Sequence, residues 1–353
     1  MKNRVVVAGL LVCAGGAAQA GGVERSSQSV SILFEQGHYA ELSFGHFSPD
    51  VSGTIGPGGA ISSGDMTVSY NTVSLGYKMP LGDRMDFAVI LDQPIEADVS
   101  YPAGTGYPLQ GSTAKLTSSA VTALLRYKLQ NNLSVYGGLR HETVHGEVSL
   151  PVVGSYTLRT NNDAEFGYVI GFAWEKPEIA ARVALTYNSS ITHSLDSVEF
   201  GGLPGTFETE VPQSVNLEFQ TGVAKDTLLF GSIRWAEWSA FEIDPPFYPL
   251  ADPLVAYAGN RITYNLGLGR RFNETWSGAV TLAYEAPDGE ITGNLGPTDG
   301  FASIGLAATY TMDKLKVTGG VRYVDIGDAT SSVGGNFSGN SGVGFGIKVG
   351  YSF

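Results

Sequence analysis

The chain ends on "GFGIKVGYSF". Phe345, Ile347, Val349, Tyr351 and Phe353 fall on one parity, and Gly344, Gly346, Lys348, Gly350 and Ser352 on the other. Successive side chains of a strand point to opposite faces, so one face here is apolar and the other small or charged. The pattern recurs. "VTALLRYKL" sets Val121, Ala123, Leu125 and Tyr127 against Thr122, Leu124, Arg126 and Lys128. "FGYVIGFAW" places Phe166, Tyr168, Ile170, Phe172 and Trp174 together, and "ARVALTYN", "SVNLEFQ", "ITYNLGLG", "GAVTLAYE", "ASIGLAATY" and "LKVTGGVRY" continue the series. Arg140, Arg182, Arg234, Arg271 and Arg322 join Arg126 on the polar parity.

Between the alternating runs, the connections are short and long by turns. Tight ones fall at 79–83, 130–132, 175–178, 224–226, 272–275 and 312–314. Long ones cover roughly 49–65, 102–113, 146–157, 193–212, 240–260, 286–299 and 326–341. An even number of antiparallel strands with short turns at one end and longer loops at the other is the rule of outer-membrane barrels. The spacing predicts an all-β fold, a transmembrane antiparallel β-barrel of 14 strands over residues 38–353. Tyr77, Tyr127, Trp174, Phe272, Trp276, Tyr310 and Tyr351 sit beside the tight turns, where an interfacial girdle belongs. Both termini then lie on the periplasmic side.

Alternation alone also fits a soluble sandwich, and the N-terminus bears on that choice. Lys2 and Arg4 precede a short apolar run, and "AQA" at 18–20 has the small residues of a cleavage site. Residues 1–20 read as a secretory signal. Cys13, the only cysteine, lies within it, so the mature chain has none. After Gly21 no run is long and apolar enough for a membrane helix, whereas barrel strands hide their signal in alternation. Charged residues are only 16%, glycine reaches 47 residues, and the net charge is −13. That balance excludes a nucleic-acid surface, which needs a basic stripe. The expected partners are outer-membrane lipid and, through the C-terminal Phe353, the barrel-assembly machinery, with the chain acting as a monomer.

Residues 21–37, "GGVERSSQSVSILFEQG", lack sustained alternation. They are either a periplasmic tail or a hatch folded into the lumen, and Val30, Ile32, Leu33 and Phe34 are apolar enough to favour the hatch. Catalytic chemistry finds no constellation, and no cofactor is implied. His141 and His145 stand about 13 Å apart if they share a strand. The segment 241–260 differs from an ordinary solvated loop. Phe247, Tyr248, Leu250, Leu254 and Tyr257 form an external apolar loop that is either a binding surface or a cap packed on its neighbours.

One block is specific. "VPQSVNLEFQTGVAKDTLLFGSIRWAEWSAFEI", 211–243, resembles the FadL/TodX family of outer-membrane transporters through Pro212, Ser214, Lys225, Asp226, Trp235, Trp238 and Ser239. "YNSSITHSLDS" at 187–197 and the two hairpins after 260 are similar in order. The resemblance implies a fourteen-stranded barrel with an N-terminal hatch, including Ser27, Gln28, Leu33, Phe34 and Glu35. It implies uptake of long-chain fatty acids or other hydrophobic small molecules, with lateral exit at an inward kink of strand three. This chain departs from the family pattern at "SILFEQGHYAEL", where an Asn-Pro-Ala motif is expected. A general porin and a surface adhesin or receptor are the other readings.

Two expectations concern residues. Arg126, Arg140 and Arg182 either meet a ligand carboxylate in the lumen or pair with Asp92, Glu142 and Glu165 and knit the interior. Asp92-Gln93-Pro94 interrupts strand three, and proline removes a ladder donor. Phe87, Val89, Leu91, Ile95, Val99 and Tyr101 keep one parity across it, and Asp92, Pro94, Glu96 and Asp98 the other. Pro94 then points inward, and it marks either a lateral gate or the start of a ribbon above the lipid.

Overall fold

The computed structural model describes residues 22–353, so the signal expected over 1–20 lies outside the described residues. Fourteen antiparallel strands close on themselves, because the first, Tyr39–Asp50, pairs with both the second, Tyr70–Pro80, and the last, Asn340–Ser352. Strand three runs from Met85–Asp92 into Glu96–Ser100. Strands four to seven are Thr113–Lys128, Leu133–Leu150, Asp163–Lys176 and Ala181–Asn188. Strands eight to ten are Ser214–Ala224, Thr227–Ala236 and Arg261–Arg271. Strands eleven to thirteen are Trp276–Glu285, Phe301–Met312 and Leu315–Ile326. Closure satisfies the ladder without an edge, which a lipid-embedded sheet requires.

The alternation read from sequence is the wall itself. Phe166, Tyr168, Ile170, Phe172 and Trp174 are exposed outward, and so are Tyr264, Leu266 and Leu268. Arg126, Arg140, Arg234 and Arg322 are buried within. All seven girdle aromatics expected beside the tight turns are exposed on the outside. A second ring, which includes Tyr264, Tyr284 and Tyr323, stands toward the loop end of the same outer surface. An apolar band between two aromatic rings is the surface of a barrel that spans a membrane.

The expected loop at 193–212 is a β-ribbon. Ile191–Glu199 pairs with Leu203–Val211 and extends strands seven and eight above the wall. Its inner face, with Ile191, His193, Leu195, Phe207 and Val211, is buried, so the alternation continues past the point where a loop was expected. Strand six keeps its pairing with strand five over Asp163–Gly167, while its ladder to strand seven begins only at Val169. The His193 imidazole bridges that interval to Asp163, 2.9 Å away. Burial pushes the His193 ring below its ordinary pKa, and Asp163 pulls against that shift.

Residues 22–37 lie inside the barrel. Val30, Ile32 and Leu33 are buried against Tyr39, Ala88, Leu124, Tyr136 and Ala184 of the wall. Gly76 makes room for them. A Cβ there would stand 2.4 Å from the Ile32 Cδ1 atom.

Candidate functional site: the broken wall at strand three

Asp92 faces Ala120 on strand four, and Glu96 faces Thr117. Three residues, Gln93, Pro94 and Ile95, therefore oppose two, Ser118 and Ser119. One extra residue on one strand is a β-bulge, and it reverses which face each later residue takes. This corrects the expectation of unbroken parity. Before the bulge, Asp86, Ala88 and Asp92 face inward; after it Ala97 lies opposite Leu116 and Val99 opposite Ala114 on the inner face. Val99 and Tyr101 are buried, and Glu96 and Asp98 take the other face.

The bulge removes strand three from strand two. Their ladder ends at Leu75 opposite Leu91. Tyr70 to Ser74 remain paired with strand one and have no ladder partner on strand three. One side chain crosses the interval: the Val73 N–H donates to the Gln93 Oε1 atom at 2.9 Å. The wall closes again farther toward the loop end, where the Ser100 N–H reaches the Met66 carbonyl at 2.9 Å. Because the strands tilt, each step along the ladder from strand one climbs about one residue toward the loop end. Followed round the barrel, the register sets Asp92 level with Tyr264, Tyr284 and Tyr323. The break therefore lies at the loop-end aromatic ring, between the apolar band and the loops.

The N-terminal segment takes the place of strand two. The Arg25 N–H donates to the Pro94 carbonyl and the Glu96 N–H to the Val23 carbonyl, both at 2.8 Å. Ser118 completes the bulge, since its Oγ accepts from the Ile95 N–H at 2.9 Å and donates to the Ile95 carbonyl at 2.7 Å. Backbone groups buried here without a partner would cost about 1–3 kcal/mol each. Side chains fix the segment in register. Glu24 pairs with Arg234 at 2.5 Å. The Ser26 hydroxyl donates to Asp92 at 2.5 Å, and the Asn216 amide donates to the Ser27 carbonyl at 2.8 Å. Gln28 Oε1 accepts from Arg140 at 2.6 Å. The Leu33 carbonyl accepts from Arg126 at 3.3 Å, and the Glu35 N–H donates to Ile32.

The three lumen arginines are accordingly engaged: Asp92 and Glu142 act on the charge of Arg140, as expected, while the direct hydrogen bonds and ring contacts of all three go to other partners. Arg126 pairs with Glu175 and donates to Ser134. Arg140 divides its donors between Gln28 and Thr122. Arg182 lies over the Phe34 ring at 4.5 Å, and Arg126 lies over the same ring at 4.4 Å. The sequence expectation missed that these cations grip the N-terminal segment, because the contacts join residues more than ninety positions apart.

Two cavities flank that segment. Toward the loops is an apolar space of about 70 Å³ whose lining includes Val23, Val99, Leu116, Leu195, Phe207 and Leu254. The external loop supplies its roof. Leu254 and Tyr257 line it, and the Tyr257 ring packs on Trp238 and Phe241 at 5.4 and 5.8 Å. Burial raises the Tyr257 phenol well above its ordinary pKa, so it stays neutral. Tyr248 packs on Tyr156, while Phe247 and Leu250 remain exposed. The loop thus caps with one half and presents the other outside. The second cavity, about 270 Å³, lies toward the turns. Its lining runs from Ser26, Ser27 and Asp92 inside to the lipid-facing Phe44 and Val73, so it reaches the side of the barrel at the break. Glu24 stands between the two, with Val23 on the upper cavity and Arg25 on the lower.

No family model matches the sequence, and no curated protein does. Solved structures do. A Pseudomonas aeruginosa FadL homologue matches with a TM-score of 0.74 at 16% identity, over 92% of each chain. The fold is that of the FadL-type channels. The Pseudomonas putida toluene transporter TodX matches at 0.69 and 12% identity over 96% of each chain, and the Ralstonia pickettii toluene transporter TbuX at 0.65 and 12% over 90% of each. The sequence resemblance to the FadL/TodX family thus has its counterpart in the backbone.

Proposed function

We propose that this protein is an outer-membrane channel through which hydrophobic small molecules, long-chain fatty acids or hydrocarbons among them, diffuse inward and leave sideways at strand three. The observation that carries this reading is the bulge at Asp92-Gln93-Pro94, which opens the wall where a lumen cavity meets the lipid-facing surface. An apolar molecule enters under the half-buried loop 241–260 and rests in the upper chamber. It then passes Glu24 and exits between Val73 and Gln93 without crossing water. The named relatives, toluene transporters and a FadL homologue, support that substrate class.

In this reading residues 21–37 form the hatch, and the turn end, where Tyr39 and Ser352 meet, faces the periplasm. Exposed Phe353 is then the signal for the barrel-assembly machinery, and the protein acts as a monomer among outer-membrane lipids. Uptake of a fluorescent fatty acid and of toluene by cells with and without the protein tests the proposal. Protein-dependent uptake with little ion conductance in planar bilayers is expected. Large persistent conductance without hydrophobic uptake would make it a general porin instead.

A further inference from the structure

Strands fourteen, one and two carry a hollow on the outer face of the wall. One row of the ladder sets Tyr351, Ala40 and Tyr77 side by side on these three neighbours. Both tyrosines are exposed, and only the Ala40 methyl group lies between them. They stand two strand spacings apart, about 10 Å. A hydrocarbon chain needs about 4 Å to the carbons on either side, so the interval admits one. The next row toward the loops restores the bulk, with Val349, Leu42 and Leu75 across the same strands.

The C-terminus closes the hollow toward the turns. The Phe353 N–H donates to the His38 carbonyl at 3.0 Å, which holds the last residue beside the start of strand one. Its ring meets Tyr351 at 5.0 Å and Tyr77 at 6.4 Å, edge to face in both cases. Such pairs add to the packing of each ring, so the three form a fixed arc around Ala40. At the foot of the arc the His38 Nδ1 atom stands 3.1 Å from the Tyr77 hydroxyl. Polar atoms of interfacial tyrosines belong at headgroup depth.

The hollow measures about 360 Å³. Glu41 contributes to its lining, but the carboxylate turns inward to Lys348 at 2.6 Å. The remaining lining is apolar apart from the two phenols. This surface is continuous with the apolar band, so the material beside it is lipid rather than water. Left empty, the hollow forfeits dispersion contacts on every wall, and a flexible chain is what can enter it.

We propose that the hollow seats one acyl chain of a phospholipid from the leaflet on the turn side, with Ala40 as its floor and Tyr351, Phe353 and Tyr77 as its walls. That lipid stays with the barrel, whereas lipid around the rest of the wall exchanges freely. The rim toward the loops includes Leu75 with Leu91, the last ladder pair of strands two and three before the opening. On the channel reading, a molecule leaving sideways meets this lipid first; the seat itself stands without that reading.

Native mass spectrometry tests the seat on protein extracted from vesicles of phosphatidylethanolamine and phosphatidylglycerol that also hold lipopolysaccharide. The expected result is a barrel that keeps one phospholipid through detergent washing. Ala40→Phe fills the floor and should strip that mass. Ala308→Phe adds the same ring to the outer face of strand twelve and should retain it. Heat-modifiable migration on gels shows that both variant barrels are folded. A wild type without retained phospholipid, lipopolysaccharide in its place, or equal retention by the Ala40→Phe variant would overturn the seat. Fluorescent fatty acid and toluene uptake by the wild type reports separately on the channel: retained lipid without uptake keeps the seat and sinks the channel, and uptake without retained lipid does the reverse.

Discussion

Strand three and the wall across the barrel, strands ten to thirteen, are built from the same alternation and end differently. On the far side Ile262, Tyr264, Leu266 and Leu268 face out while Thr263, Gly267 and Gly269 face in, and every residue from Thr263 to Arg271 has a partner on strand eleven. At strand three one added residue turns the chain inward, costs strand two its partner, and hands the free backbone to the N-terminal segment. A single register change therefore separates a sealed wall from one with a side opening. Side-chain chemistry at the break, Pro94 without a donor and Ser118 with both a donor and an acceptor, leaves the buried backbone there satisfied.

The largest effect is expected from erasing the difference. Deleting Pro94 lets Gln93 meet Ser119 and Ile95 meet Ser118 in continuous register, with alternation restored on both sides. Hydrophobic uptake should fall to the level of cells without the protein, and heat-modifiable migration should show a folded barrel. Uptake at the wild-type rate would retire the side exit. Next is the latch. Arg234→Met leaves Glu24 buried and unpaired, which costs about 3–5 kcal/mol, enough to dislodge residues 22–28 from the lumen. Planar bilayers should then record ion conductance well above that of the wild type, and identical traces would place the anchoring elsewhere.

A smaller effect belongs to the chamber. Leu254→Ala removes apolar surface from its lining and should weaken binding of a neutral apolar ligand roughly tenfold, read by titration. No change in affinity would mean that ligands do not rest there. The smallest belongs to the sealed wall. Leu282→Ala, on its outer face, should alter uptake by less than about twofold, since lone surface changes are usually within about 0.5 kcal/mol. A large loss there would mean that the two sides are not functionally distinct.

The barrel was legible because side-chain parity is a local property: Phe345, Ile347 and Tyr351 declare their face without any knowledge of their neighbours. Pro94 was legible as an interruption for the same reason. Its consequence was not, since a bulge exists only relative to a partner, and Ser118 and Ser119 lie on another strand. The ribbon at 191–211 was partly hidden because its inner face carries His193 and Thr209, which read as polar loop residues. The grip on the N-terminal segment was hidden altogether. Glu24 and Arg234 are 210 positions apart, and nothing around Glu24 announces a cationic partner.

The central claim is that substrate leaves between Val73 and Gln93. The mature chain expected after residue 20 has no cysteine, so Val73→Cys with Gln93→Cys gives one defined tether across the opening. Uptake of a fluorescent fatty acid would be followed in cells carrying this pair, before and after reduction. The account predicts uptake near background while the disulfide is closed and recovery on adding reductant, with both single-cysteine variants unaffected. Full uptake through the tethered protein would contradict it.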